Sequence, residues 1–119
     1  MANPVVHFEV MGKDLGALQS FYTELFDWKP NEVPGPMEYV TIETGGDGGI
    51  GGGIGAAPEG GPSYVTFYVQ VDDVQAALDK AGSLGGNTVM EPMEVPGGGM
   101  IALFRDPEDH IVGLWKGQQ

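Results

Sequence analysis

A chain of 119 residues is one domain by length, with enough apolar sequence for a core but little area to spare. Five Lys and Arg against 17 Asp and Glu give a formal net charge of −12, which repels phosphate backbones and anionic lipids and argues against nucleic-acid and membrane partners. The absence of cysteine excludes disulfides, thiolate zinc sites and thiol nucleophiles, and with no basic-apolar leader and no long apolar span a cytoplasmic location is expected.

From the N-terminus, "VVHFEV" alternates so that Val6, Phe8 and Val10 share one face and Val5, His7 and Glu9 the other, the pattern of a strand with one packed side. Asp14 is placed to cap a helix running to Phe26, on which Leu15, Leu18, Phe21, Tyr22 and Leu25 recur at helical spacing. Further strands are predicted around "NEV", around "EYVTIE" and in the glycine tract near Ile50, although the tract from Gly45 to Gly61 as a whole reads as loose. "YVTFYVQ" then repeats the opening alternation, with Val65, Phe67 and Val69 on the apolar face and Thr66, Tyr68 and Gln70 on the polar one. Asp73 caps a second helix carrying Val74, Ala77, Leu78 and Ala81, and strands follow around "TVMEPM", "MIALFR" and "HIVGLWK".

The two halves are copies of one pattern. Val6, Phe8, Val10, Asp14, Ala17 and Leu25 stand 59 positions before Val65, Phe67, Val69, Asp73, Ala76 and Leu84, without a gap (65 − 6 = 84 − 25 = 59). The turn "EVPG" also occurs twice, at Glu32–Gly35 and Glu94–Gly97, each time before a β-rich run. Each unit therefore reads β-α-β-β-β, the first over about residues 1–58 and the second over about 62–117, giving an α+β fold by internal duplication within one domain, 1–119. With the apolar faces under the helices, the polar faces of two curved mixed sheets are left to enclose a cleft, the usual place for a small-molecule site.

The duplicated unit, the opening "HFEV" with "DLGALQSFYTELFDW", and the closing "FRDPEDHIVGLWK" together resemble the vicinal oxygen chelate superfamily, which includes glyoxalase I, extradiol dioxygenases and bleomycin-resistance proteins. The resemblance implies a divalent metal held by a His on the first strand and a Glu or His on the last strand of each unit. His7 matches the first such place, but Thr66 stands at its repeat, Gly113 where a Glu is usual, and Gly51 to Gly53 at the matching place of the first unit. One ligand of four is too few for a divalent ion, so no metal and no cofactor are expected; His7 with Glu9, which share a strand face, is the residual alternative. His110 reads as a turn or surface histidine.

The expected function is metal-independent binding of a small molecule, cationic or aromatic, by His7, Glu9, Thr66, Tyr68, Gln70 and Trp115, with the two aromatic residues available for stacking. A bleomycin-resistance-like role fits the acidity. The alternatives are a glyoxalase-like metal-dependent lyase or isomerase, a dioxygenase, or an interaction module whose cleft is filled by side chains. Family resemblance adds the expectation of a homodimer.

Overall fold

The computed structural model describes residues 2–33, 38–57, 60–95 and 98–117. The elements are β1 (Val5–Gly12), α1 (Leu15–Phe26), β2 (Lys29–Glu32), β3 (Tyr39–Glu43), β4 (Gly52–Ala56), β5 (Tyr64–Gln70), α2 (Val74–Ser83), β6 (Asn87–Glu94), β7 (Met100–Arg105) and β8 (Ile111–Lys116). Both helices start where the sequence places a cap: Asp14 Oδ1 accepts from the Ala17 amide at 3.0 Å and Asp73 Oδ1 from the Ala76 amide at 3.0 Å. No helix among the described residues is long and apolar enough to cross a membrane.

The chain divides into two compact units, one from His7 to Val65, the other from Thr66 onward together with the residues before His7. The Gln70 amide, which donates to the Pro4 carbonyl at 2.9 Å, is one bond that holds those first residues to the second unit. In the first unit the strand order is β2-β3-β4-β1, with β1 and β4 parallel and the other pairs antiparallel. In the second it is β6-β7-β8-β5, with β5 and β8 parallel and the other pairs antiparallel. The same order and the same polarity in both are what duplication of one βαβββ unit produces. Of the repeated "EVPG" turns, Pro34, Gly35, Pro96 and Gly97 lie outside the described residues. Beside the second copy, the Val95 amide donates to the Gly99 carbonyl at 3.0 Å and closes the connection from β6 to β7.

Each unit has its own core under its own helix. In the first, Val10, Val40, Ile42 and Ile54 are buried and meet Phe8, Leu15, Leu18, Tyr22 and Trp28. In the second, Val74 and Leu78 of α2 pack on Ala102 and Leu114, with Met100 and Phe104 beside them. The alternation of β1 is thereby confirmed, since Phe8 and Val10 face α1.

Three expectations are corrected. On α1, Phe21 and Leu25 are each 58% exposed, because the helix has two apolar ridges and only the Leu15–Leu18–Tyr22 ridge is turned to the sheet. On β5, Val65 is 68% exposed and Phe67 42%, because α2 lies over β6, β7 and β8. The glycine tract is not loose throughout: Gly52–Ala56 is an interior strand whose first four residues are buried. A glycine strand ordinarily lacks packing area, but here neighbouring rings supply it. The Phe8 ring lies where a side chain on Gly52 would go, on the α1 side of the sheet.

Helix α1 ends on Asp27 in the left-handed region, with φ 60° and ψ 33°, where a residue with a Cβ is strained and a carboxylate faces the negative end of the helix. Replacing Asp27 by Gly should stabilise the protein by about 0.5–1 kcal/mol and raise Tm by a few degrees in a thermal melt. An unchanged or lower Tm would contradict this account of the cap.

Candidate functional site

The face of the first unit turned away from α1 carries the polar residues. Register places Glu9 beside Gly53 and Met11 beside Gly55, while Gly55 and Gly53 pair on their other side with Tyr39 and Thr41. Side chains on Gly53 or Gly55 would overlap the Tyr39 ring, so this ring lies across the two glycines as on a bed. From there its hydroxyl reaches β1: Tyr39 Oη donates to Glu9 Oε2 at 3.0 Å and stands 2.9 Å from His7 Nε2. A phenol has one proton, and it is used on Glu9, so His7 carries its own proton on Nε2 and donates it to Tyr39 Oη. His7, Tyr39 and Glu9 thus form one directed hydrogen-bond chain, with Glu9 buried.

Burial dominates the electrostatics of this chain. It holds His7 below its ordinary pKa by disfavouring the imidazolium. It also raises the phenol of Tyr39, to which the charge of Glu9 and the hydrogen bond to it add, so Tyr39 stays protonated. Tyr64 is pushed up to about 12 by burial and by Glu9. Two neutral phenols beside one buried carboxylate and a neutral imidazole make a corner able to donate, accept or hold a proton, and to receive a positive group at Glu9.

The remaining expected site residues belong to the second unit. Thr66 is buried and its Oγ1 donates to the Ile111 carbonyl at 2.5 Å, a link between β5 and β8. Tyr68, also buried, pairs with Gly113, and a side chain on Gly113 would overlap the Tyr68 ring. Gln70 is exposed and pairs with Trp115, whose Nε1 donates to the Gly98 carbonyl at 3.4 Å. His110 is a surface residue, its side chain 71% exposed and its Nδ1 3.0 Å from Asp106 Oδ2 in the turn before β8.

Tyr39 and Tyr64 are the functional candidates that the sequence did not single out. The alternation of "EYVTIE" places Tyr39 with Thr41 on the polar face, and glycines at every second place of a facing strand are the signal for a ring lying over them. An open groove of about 450 Å3 in the same unit lies between the end of β1, α1 and Ser63–Val65. It is lined mainly by Val10, Met11, Leu18, Tyr22 and Val65 and does not include His7 or Glu9, so the convergence of polar groups favours the His7–Tyr39–Glu9 chain as the candidate site.

The family profile described as Glyoxalase/Bleomycin resistance protein/Dioxygenase superfamily matches residues 5–114. The chain belongs to that superfamily. Among curated relatives it is 34% identical over 108 residues to CFP32 of Mycobacterium bovis, named as a candidate glyoxylase, covering 87% of this chain and 41% of that one. It is 29% identical over 126 residues to the anthracycline biosynthesis protein DnrV of Streptomyces peucetius, covering 92% of this chain and 45% of the relative. The chain therefore spans less than half the length of either. Methylmalonyl-CoA epimerase from Mycobacterium tuberculosis has the same fold, with a TM-score of 0.72 at 13% identity over 97% of this chain and 88% of the epimerase.

The residues present do not fit the metal set that the superfamily resemblance implies. At the last-strand place of each unit stands a glycine, Gly53 or Gly113, and over each lies a tyrosine ring that leaves no room for a ligand side chain. Among the described residues no three His, Asp or Glu side chains come together to hold an ion.

Two outcomes follow for the first unit. Gly53→Ala should cost about 1–3 kcal/mol by driving Tyr39 off its bed, and Tyr39→Ala in the same chain should recover part of that loss, because the overlap is then relieved; simple additivity in urea melts would refute the seating of the ring. His7 gives a pH dependence. Its pKa is depressed in the fold, so its contribution to stability is present above about 6.5 and is lost as the pH falls below that value and through the folded pKa. His7→Gln keeps a neutral donor to Tyr39 and should therefore lose less stability than the parent between pH 7 and 5; parallel stability curves would show that burial does not perturb His7.

Proposed function

We propose that this chain binds a small organic molecule without the help of a metal ion, at the face of the first unit's sheet that carries His7, Glu9 and Tyr39. The observation behind this proposal is that Tyr39 and Tyr68 take the space at Gly53 and Gly113 where metal-ligand side chains would stand. A superfamily scaffold with those places filled by phenols retains groups suited to recognition: a hydrogen-bonded carboxylate, a neutral imidazole and aromatic faces. The similarity to DnrV points to anthracycline-like compounds, which combine a flat ring system with an amino sugar. The amine suits Glu9 and a protein of net charge −12.

Glu9 would hold the cationic group, with Tyr39 fixing the orientation of the carboxylate and His7 fixing that of the phenol. No bond of the ligand need be made or broken. The glyoxylase name of CFP32 supports a second possibility, a metal-dependent lyase or isomerase, in which the carboxylate of Glu9 would be the proton-handling group.

Metal analysis separates the two. A divalent ion held by three or four protein ligands at about 100 times its dissociation constant would add about 2.7 kcal/mol, several degrees in Tm for a domain of this size. The purified protein should carry no stoichiometric metal, and Zn2+, Ni2+ or Mn2+ should move Tm by less than a degree or so on that scale. Close to one metal per chain, lost with His7→Ala, would sink the metal-free proposal and favour a metal-dependent lyase. In equilibrium titrations an amine-bearing anthracycline should bind, and Glu9→Gln should weaken it by roughly tenfold, the equivalent of about 1.4 kcal/mol.

A further inference from the structure

We infer that the open groove of the first unit is the second half of the Glu9 site and holds the aliphatic chain of an amine whose cationic end stands at Glu9. This rests on the small-molecule proposal above and adds to it a second subsite and the class of group that fills it. The groove, of about 450 Å3, lies in the range of roughly 300–1,000 Å3 usual for small-molecule sites. Val10, Leu18 and Tyr22 reach it from the core under α1, and the exposed Ala17 and Val65 line its solvent side.

Two residues join this groove to the hydrogen-bonded corner. Met11 lines the groove, and its thioether stands beside the Tyr39 ring over Gly55, the same ring whose hydroxyl bonds Glu9. Tyr64 also lines the groove, and it is near enough to Glu9 for the carboxylate to help raise its phenol. Met11 follows Glu9 on the same face of β1, about 7 Å along the strand. The first few methylenes of a chain on an amine at Glu9 therefore reach Met11, and the rest lie in the groove.

The lining favours an aliphatic chain over a ring or a second ion. Val10, Met11, Leu18 and Val65 are flexible or branched aliphatic surfaces. The Tyr22 ring is already engaged in the core, stacked on Trp28 with centroids 5.9 Å apart at 9° and in contact with Phe26 and Phe21. Lys13 and Asp14, both in the lining, are opposite in charge, and Asp14 is committed to the cap of α1, so the groove presents no net charge to the chain. At Glu9, by contrast, a buried carboxylate in a protein of net charge −12 favours a cation.

The test is calorimetric titration of the full chain with butylamine and octylamine. Each methylene carried out of water gains roughly fourfold in affinity, so octylamine is expected to bind about tenfold or more tighter than butylamine. Ala17→Gln, on the exposed side of α1, and Val65→Gln, at a position 68% exposed, put polar atoms into the groove without entering the core. Either variant should bring the two affinities within about threefold of each other. Val89→Thr, in β6 of the second unit, should leave their ratio unchanged, and Glu9→Gln should weaken octylamine by roughly tenfold. Equal affinity of the two amines for the parent protein, or a chain-length ratio that survives either groove variant, would put the alkyl chain elsewhere and overturn the groove. An octylamine affinity that Glu9→Gln leaves intact would overturn the link between groove and carboxylate. If neither amine binds while an amine-bearing anthracycline does, the groove inference fails and the small-molecule proposal stands; if none of the three binds, both fail.

Discussion

The architecture of both sheets depends on aromatic rings seated on glycines. A glycine in a strand leaves a gap of side-chain size, which weakens packing unless a neighbour fills it. Here Phe8 fills the gap at Gly52, Tyr39 those at Gly53 and Gly55, and Tyr68 that at Gly113. The consequence is that β4, four of whose five residues are glycine or alanine, lies inside a sheet with Ile54 wholly buried. On one side of that strand the filling ring builds the core under α1. On the other it carries a hydroxyl across to β1 and ties His7 to Glu9.

This arrangement gives the two faces of the first unit their different chemistry. Phe8 meets Trp28 with ring centroids 5.3 Å apart, and Trp28 stacks on Tyr22, so the α1 side is an aromatic core. The opposite side has a hydrogen-bond chain in a partly buried setting, where burial favours neutral forms of His7, Tyr39 and Tyr64. The second unit repeats the topology but not the chemistry. Its corresponding face presents Met90, Met93, Ile101, Leu103 and Trp115, so duplication supplied two scaffolds of one shape with different surfaces.

Much of the fold was legible because it is written locally. The alternation of "VVHFEV", the caps at Asp14 and Asp73, and the uninterrupted 59-residue offset each depend on neighbours in sequence, and each corresponds to an element of the structure. Helix α1 was legible as a helix but not in its burial, since Phe21 and Leu25 are as apolar as Leu18 and only tertiary packing decides which ridge faces the sheet. The role of Tyr39 was hidden because it depends on the register of β3 against β4, a pairing between residues far apart in sequence, and because consecutive glycines look like a loop until something lies on them. His7 and Glu9 were legible as neighbours on one strand face; the phenol that links them comes from another strand.

Ring-on-glycine seating also constrains how such a chain can change. To install a carboxylate ligand at Gly113, a mutation must place a side chain where the Tyr68 ring lies, and to remove the ring first leaves a hollow over the glycine. Either first step is disfavoured and only the pair is tolerated, which is sign epistasis between two positions that are cross-strand neighbours. The same holds for Gly53 and Tyr39. Building a four-ligand metal centre on this chain would therefore require coordinated double changes in both units, and single-nucleotide drift would meet a stability barrier at every entry.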